Sequence, residues 1–450
     1  MTSCHRRTAQ AIAVDVRAGR VSALDICRSA IAHIEQLGSE RSGFTRIFEE
    51  RALHRAKAID NTVLAGLDPG PLAGVPFGVA EMFDVAVERT MAGAQIRSGA
   101  RLSAADAKSI QMLERAGAIL IGTQNMDEFG YGFEGVNALS GTSINPHDEK
   151  RLAGGACGGS AVAVASEAVP FSLGFDANGQ LRVPAALCGI IGFKPTHLDF
   201  SRQGTYPFVP SLDDVGPLTR DLDDLMLVRD VLRDFAPEKC AIPRGDLRFG
   251  RFGGWFDQNL DVEFRTLIQN LVSAVGGRTT ELQHAELARA AASLITGAEA
   301  ANLHRTMVTR TPMGYEPATR DRFLAALLMP ADDYLQAKRF QYWAGGQAEK
   351  QFEYNDVYIV PAVPGSGSAP LIEDPTIMFD GVVRTARSYL GTFTQPISLI
   401  GLPTLVVPLV HDGALPLGIQ LVAAPGADAL LFAAARQLFE TGLVAVPKLP

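Results

Sequence analysis

Residues 173–196 read LGFDANGQLRVPAALCGIIGFKPT, and this stretch decides the fold. The run FSLGFD that leads into it (Phe171–Asp176) is short, apolar and aromatic, which predicts a buried strand. Ala-Asn-Gly then breaks the run, and Gly179 supplies backbone freedom for a tight turn. RVPAALCG predicts a short helix, and IIGFKPT a second strand. The peptide N–H groups of Ala177, Asn178, Gly179 and Gln180 can converge there as an anion-binding nest. Asp176 and Arg182 flank the turn with opposite charge and are expected to pair and hold it.

The same alternation extends outward. Ser22–Leu37 has an N-cap serine, an acidic first turn and helical apolar spacing. Arg51–Asn61 and Ser103–Ala116 also read as helices, GAILIGTQNM as a strand, and SAVAVASEAVP as a small-residue helix. From about residue 230 to 350 the pattern turns helical, in DVEFRTLIQNLVSAVGG and RDRFLAALLMPADDYLQAKRFQYWAGGQAEKQFEY. Trp255 and Trp343 are expected to be packing residues there. NDVYIVPAVP, TLVVPLV and LGIQLVAAP return to strands, and ADALLFAAARQLFETG closes with a helix. PGSGSAP reads as an exposed loop. The expectation is an α/β fold with a mixed or parallel sheet. It forms one domain over residues 1–450, with a helical insertion or cap at about 230–350.

Composition narrows the function. The 450 residues are 47% hydrophobic and 20% charged, with a net charge of −8. No basic stripe interleaved with aromatics argues for nucleic acid. The five cysteines, Cys4, Cys27, Cys157, Cys188 and Cys240, are odd in number and widely spaced, which suits a reducing compartment. The histidines show no metal-ligand spacing, so neither metal nor cofactor is expected. The N-terminus lacks a signal-peptide pattern, and no apolar run reaches membrane length. A cytoplasmic protein with no membrane segment is expected.

Several stretches agree in order and spacing with one family: PLAGVPFGV, GAILIGTQNMDEFGYG, NPHD, GGACGGSAVAVA, DANGQLRVPAALCGIIGFKPT, SLDDVGPLTRDLDDL and IGLPTLVVPL. The chain resembles the amidase signature family over essentially its whole length. It is most similar to the 1-carboxybiuret hydrolase and amidotransferase A subunit types. The resemblance implies a central mixed sheet sandwiched by helices, and a small helical partner subunit or a homo-oligomer. It also implies a Ser–Ser–Lys triad: a nucleophilic serine, a relay serine and a buried neutral lysine as base, with backbone donors for the oxyanion. At those positions this chain carries Gln180, Ala156 and Ala80.

A carboxamide is neither nucleophile nor base at neutral pH. The expectation is therefore a protein that has given up amide hydrolysis, a pseudoenzyme acting in ligand binding or as a scaffold or regulatory subunit. Altered, non-hydrolytic chemistry (a lyase, cyclase or isomerase) is the alternative, and plain amidohydrolase by resemblance the third. Cys157 adjoins the relay position, but a thiolate needs a base or positive field, and a small buried hydrophobe is the competing reading. Glu81 adjoins the lysine position, and strand alternation points it away from the site. Asp176, Ala177, Asn178, Gly179 and Gln180 form the turn, with Gln180 either filling the emptied space or bonding a ligand. Tyr131 resembles a pocket-lining position. Arg384 and Arg387 can reach the pocket and hold a carboxylate, or lie on a solvated helix face, and a small amide or carboxylate ligand is expected in that pocket.

Overall fold

One eleven-stranded sheet organises the protein, seen in a computed structural model that describes residues 7–449 except 235, 237, 239, 243–244, 259, 366–368, 380–381 and 414. Cys4 and the middle of PGSGSAP lie outside the described residues. The strands are β1 (Phe44–Ile47), β2 (Pro76–Ala80), β3 (Ile119–Gln124), β4 (Phe171–Asp176), β5 (Ile191–Lys194), β6 (Asp214–Thr219), β7 (Phe249–Phe252), β8 (Arg278–Thr280), β9 (Val357–Pro361), β10 (Thr404–Leu409) and β11 (Leu417–Val422). Their order is β1-β3-β2-β4-β6-β5-β10-β11-β9-β7-β8. The sheet is mixed: β2 runs parallel to β3 and β4, the six strands from β4 to β9 in that order pair antiparallel, and β7 runs parallel to β9 and β8.

Strands β4, β6, β10 and β11 are buried at every residue. Helices cover both faces, which is why these segments read as continuous apolar runs rather than alternating ones. Phe77 of β2 stacks on Phe171 of β4 at 5.1 Å. The helix Ala23–Leu37 starts as expected, with the Ser22 hydroxyl accepting from the Leu24 and Asp25 N–H groups. The helix expected over Ser103–Ala116 begins only at Lys108. Asp106 pairs with Arg51 and accepts the Ala86 N–H, so the residues before Lys108 are held in a non-helical path.

The segment 230–350 is not uniformly helical. Its first part supplies β7 and β8 to the sheet edge; the helices Ala285–Arg310, Pro317–Ala326 and Ala331–Gln351 follow. Trp255 is partly buried, and its indole N–H donates to the Thr392 carbonyl at 3.2 Å. Trp343 departs from its expected packing role: it is 42% exposed, beside Phe340 and His284.

Candidate active site

The turn at the end of β4 is built as its residues require. Gly179 has φ +121°, a region that L side chains avoid, and a Cβ there would lie 2.2 Å from Thr394 Oγ1. Asp176 and Arg182 are fully buried and pair in a fork: Nε donates to Oδ2 at 2.9 Å and Nη2 to Oδ1 at 3.0 Å. Asp176 Oδ1 also accepts the Gly179 N–H at 2.7 Å. Arg182 ties this turn to the far half of the sheet by donating to Gln420 Oε1 at 2.6 Å. A bidentate guanidinium–carboxylate pair fixes both partners in one plane, so the turn is rigid.

The nest forms, and the chain itself fills it. The N–H groups of Ala177 and Asn178 donate to Gln180 Oε1 at 2.9 and 2.6 Å. With Oε1 fixed by two donors, Nε2 must face away, and it donates to the Gly130 carbonyl at 3.4 Å. Gln180 thus places its own amide carbonyl on the backbone donors. The Gly179 N–H is committed to Asp176 and is not part of the nest.

Ala80 ends β2, fully buried. Ala156 follows a cis peptide from Gly155, and its carbonyl accepts the Asp127 N–H at 3.2 Å. Neither carries a proton-transfer group. Glu81 is buried with its carboxylate turned to Thr45 Oγ1 (2.5 Å) and the Gly93 N–H (3.1 Å), and burial raises its pKa. Cys157 is fully buried, its sulfur held between the N–H and carbonyl of Phe175, and burial drives its thiol far above the ordinary range. Altered chemistry through Glu81 or Cys157 is therefore corrected: neither lines the cavity beside the turn, and Asp176 is spent on Arg182.

That cavity, about 360 Å³, opens next to the turn. Asn178, Gln180, Tyr131, Phe208 and Thr296 line it, with Arg289, Arg322 and Arg387 as its charged residues. Tyr131 lines the cavity, under the Arg322 guanidinium at 3.6 Å from the ring centre. Arg384 does not: it sits on the exposed strand Val382–Thr385, and Arg387 reaches the cavity instead. Two cations were missed, Arg289 from the helix Ala285–Arg310 and Arg322 from Pro317–Ala326. Both lie in the segment expected to cap the fold, and no motif marks them.

The cations repel one another. Burial, then the charge of Arg387, lowers the Arg322 pKa to about 10. Burial, then Arg384, lowers that of Arg289. Two carboxylates offset this: Arg387 Nη2 donates to Glu134 Oε2 at 3.2 Å, and the charges of Asp127 and Glu134 both act on Arg322. Arg387 Nε is buried with no acceptor among the described residues. Among the same residues, no group of His, Cys, Asp and Glu could hold a metal ion, and no helix is long and apolar enough to cross a membrane.

The amidase family model matches residues 25–241. The chain is 38% identical to AtzE, a component of the 1-carboxybiuret hydrolase of Pseudomonas sp. (strain ADP), over 95% of this chain and 97% of that one. It is 30% identical to the glutamyl-tRNA(Gln) amidotransferase A subunit of Symbiobacterium thermophilum, over 91% of this chain and 92% of the relative. A solved structure described as a vestigial protein complex that reveals the origins of an s-triazine catabolic enzyme superposes with a TM-score of 0.92 at 37% identity, covering 98% of this chain and 100% of that one. The protein belongs to the amidase family.

These comparisons correct the expectation of a pseudoenzyme that has given up amide hydrolysis. Relatives matching nearly the whole chain are named for hydrolysis or amide transfer, and the comparisons give a loss of that activity no support.

Proposed function

We propose that this protein acts on the C–N bond of a small amide or ureide that carries a carboxylate, bound in the cavity beside the Gln180 turn. The observation that carries this reading is the arginine wall. Arg289, Arg322 and Arg387 line one cavity, and among the described residues no carboxylate side chain lines it with them. A bound carboxylate would relieve their repulsion and give the buried Arg387 Nε an acceptor. The 1-carboxybiuret for which one relative is named has this chemistry.

On the correspondence that the resemblance implies, Ala80, Ala156 and Gln180 replace the family's lysine and serines, and attack in this reading comes from water. Water adds its hydroxyl to the acyl carbon, the C–N bond breaks, and the leaving nitrogen takes the proton. No serine on this turn carries the acyl group, so turnover shows no acyl-enzyme burst. The reading also includes a second chain. The relatives above are named as subunits, and this chain exposes Leu335 and Tyr342 on the helix Ala331–Gln351. Light scattering of the purified chain, alone and with a small co-expressed partner protein, tests that part.

The decisive assay is amine or ammonia release from 1-carboxybiuret against neutral biuret. Carboxylated substrate should have at least about tenfold higher kcat/KM, which one charge-assisted contact can supply. Arg387→Met should remove that preference. Equal turnover of biuret, or no turnover of any carboxylated amide or ureide, overturns the reading.

A further inference from the structure

The nest that would receive a substrate carbonyl is already occupied, and two polar groups of the cavity wall remain unpaired. Gln180 Oε1 accepts from the N–H groups of Ala177 and Asn178. Its Nε2 makes one long bond, to the Gly130 carbonyl, and its second N–H has no acceptor among the described residues. Asn178 is 2% exposed. Its Nδ2 donates to Thr296 Oγ1 at 2.8 Å, and its Oδ1 has no donor among the described residues. Both side chains line the arginine cavity. A buried acceptor without a donor costs free energy, and such groups call for a partner.

We propose that Asn178 and Gln180 form a pair of specificity-determining carboxamides that read the amide edge of the ligand. Asn178 Oδ1 accepts the ligand's N–H, and Gln180 Nε2 donates to its C=O. The backbone donors hold Gln180 in place rather than binding the ligand carbonyl. The ligand class is then an N-acyl or N-carbamoyl amine with a carboxylate a few bonds away. The assignment rests on the carboxylate reading above and adds the part of the ligand between carboxylate and amine. Gly130 and Thr296 set the orientation of the two carboxamides, and Thr394 Oγ1 donates to the Asn178 carbonyl at 2.5 Å, fixing its backbone.

Three monocarboxylates of one length separate the contributions by calorimetry on the full chain: pentanoate, levulinate, which adds a C=O, and N-acetylglycine, which replaces a CH2 of levulinate by N–H. N-acetylglycine should bind about tenfold tighter than levulinate, the worth of pairing one buried acceptor. Asn178→Leu should shrink that ratio to about twofold or less, with levulinate affinity unchanged within about threefold. Asn178→Ala replaces it if the leucine does not fold. Gln180→Glu keeps the acceptor for the nest and removes the donor. It should abolish the advantage of levulinate over pentanoate, a ratio in which the added negative charge cancels. If wild type binds levulinate and N-acetylglycine equally, or if Asn178→Leu keeps the preference, the assignment is overturned while the carboxylate reading stands. If pentanoate and its two analogues all fail to bind, both are overturned.

Discussion

Replacing Arg182 by methionine tests whether the turn is held by its buried ion pair. The guanidinium is fully buried and donates to both oxygens of Asp176, to Gln420 Oε1, to the Thr394 carbonyl and to Ser398 Oγ. Methionine fills most of the volume but leaves the Asp176 carboxylate in the interior with backbone donors only, those of Gly179, Leu181 and residue 182. Breaking a buried pair from one side costs about 3–5 kcal/mol. The backbone donors hold the loss toward the lower end, and the abandoned Gln420 oxygen pushes it upward. We expect about 4 kcal/mol, a large share of the roughly 5–15 kcal/mol that keeps a typical protein folded. Urea unfolding followed by tryptophan fluorescence should show a lower midpoint with an unchanged slope. Arg182→Lys should recover little, because an ammonium cannot fork across a carboxylate. Adding Asp176→Asn to the methionine variant should recover part of the loss, since the stranded charge is then gone. A loss under about 1 kcal/mol in Arg182→Met would refute the argument, because a surface pair would behave that way.

Other perturbations probe the rest of the site. Gly179→Ala puts a Cβ against Thr394 at a positive φ, so the melting temperature should fall by the equivalent of about 1–3 kcal/mol, and an unchanged melting curve would contradict the geometry. Cys27, Cys157 and Cys188 are buried, with thiol pKa values raised by burial, to about 12 for Cys27. They should react with a thiol reagent only after denaturation, whereas Cys240, partly exposed, should react in the native protein, as peptide mapping of the labelled chain would show. Glu128 is buried beside Glu316, and its pKa is raised to about 7. The folded state therefore holds that proton longer than the unfolded chain does, so its contribution to stability is complete below about pH 4.5 and is lost as pH rises through about 7. Glu128→Gln should flatten this part of the stability–pH curve, and an unchanged slope would count against the shift.

The fold was legible where one period or one turn residue decided the matter. The buried strands β4, β10 and β11 show as mostly apolar runs, and Ser22 marks a helix start by its own hydrogen bonds. The sequence was opaque where partners lie far along the chain. β8, with its residues only partly shielded at the sheet edge, carries no apolar signature. The helix Ala285–Arg310 is rich in small residues, and packing against neighbouring helices marks it out better than its own periodicity does. The helix start expected at Ser103 failed because Asp106 bonds to Arg51, a contact across 55 residues that no local pattern records.

The candidate site divides along the same line, and the division bears on function. The turn from Asp176 to Arg182 was readable because its chemistry is local: a glycine where φ must be positive, and opposite charges six residues apart. The cavity walls were not, because Arg289, Arg322 and Arg387 come from three separate elements, and only their convergence makes them a site. The one residue the sequence singled out most sharply, Gln180, was weighed as a plug or a ligand contact; the geometry shows it filling the nest and lining the cavity, and the ligand contact is the proposal made above. Its oxygen satisfies the nest, and its nitrogen donates to the Gly130 carbonyl. A serine side chain is too short to reach back and accept from both donors, and it carries no nitrogen to donate. In the proposed reading, glutamine at this position builds a different recognition surface on the same turn, and the ligand is selected jointly by that carboxamide and by cations the motif does not contain.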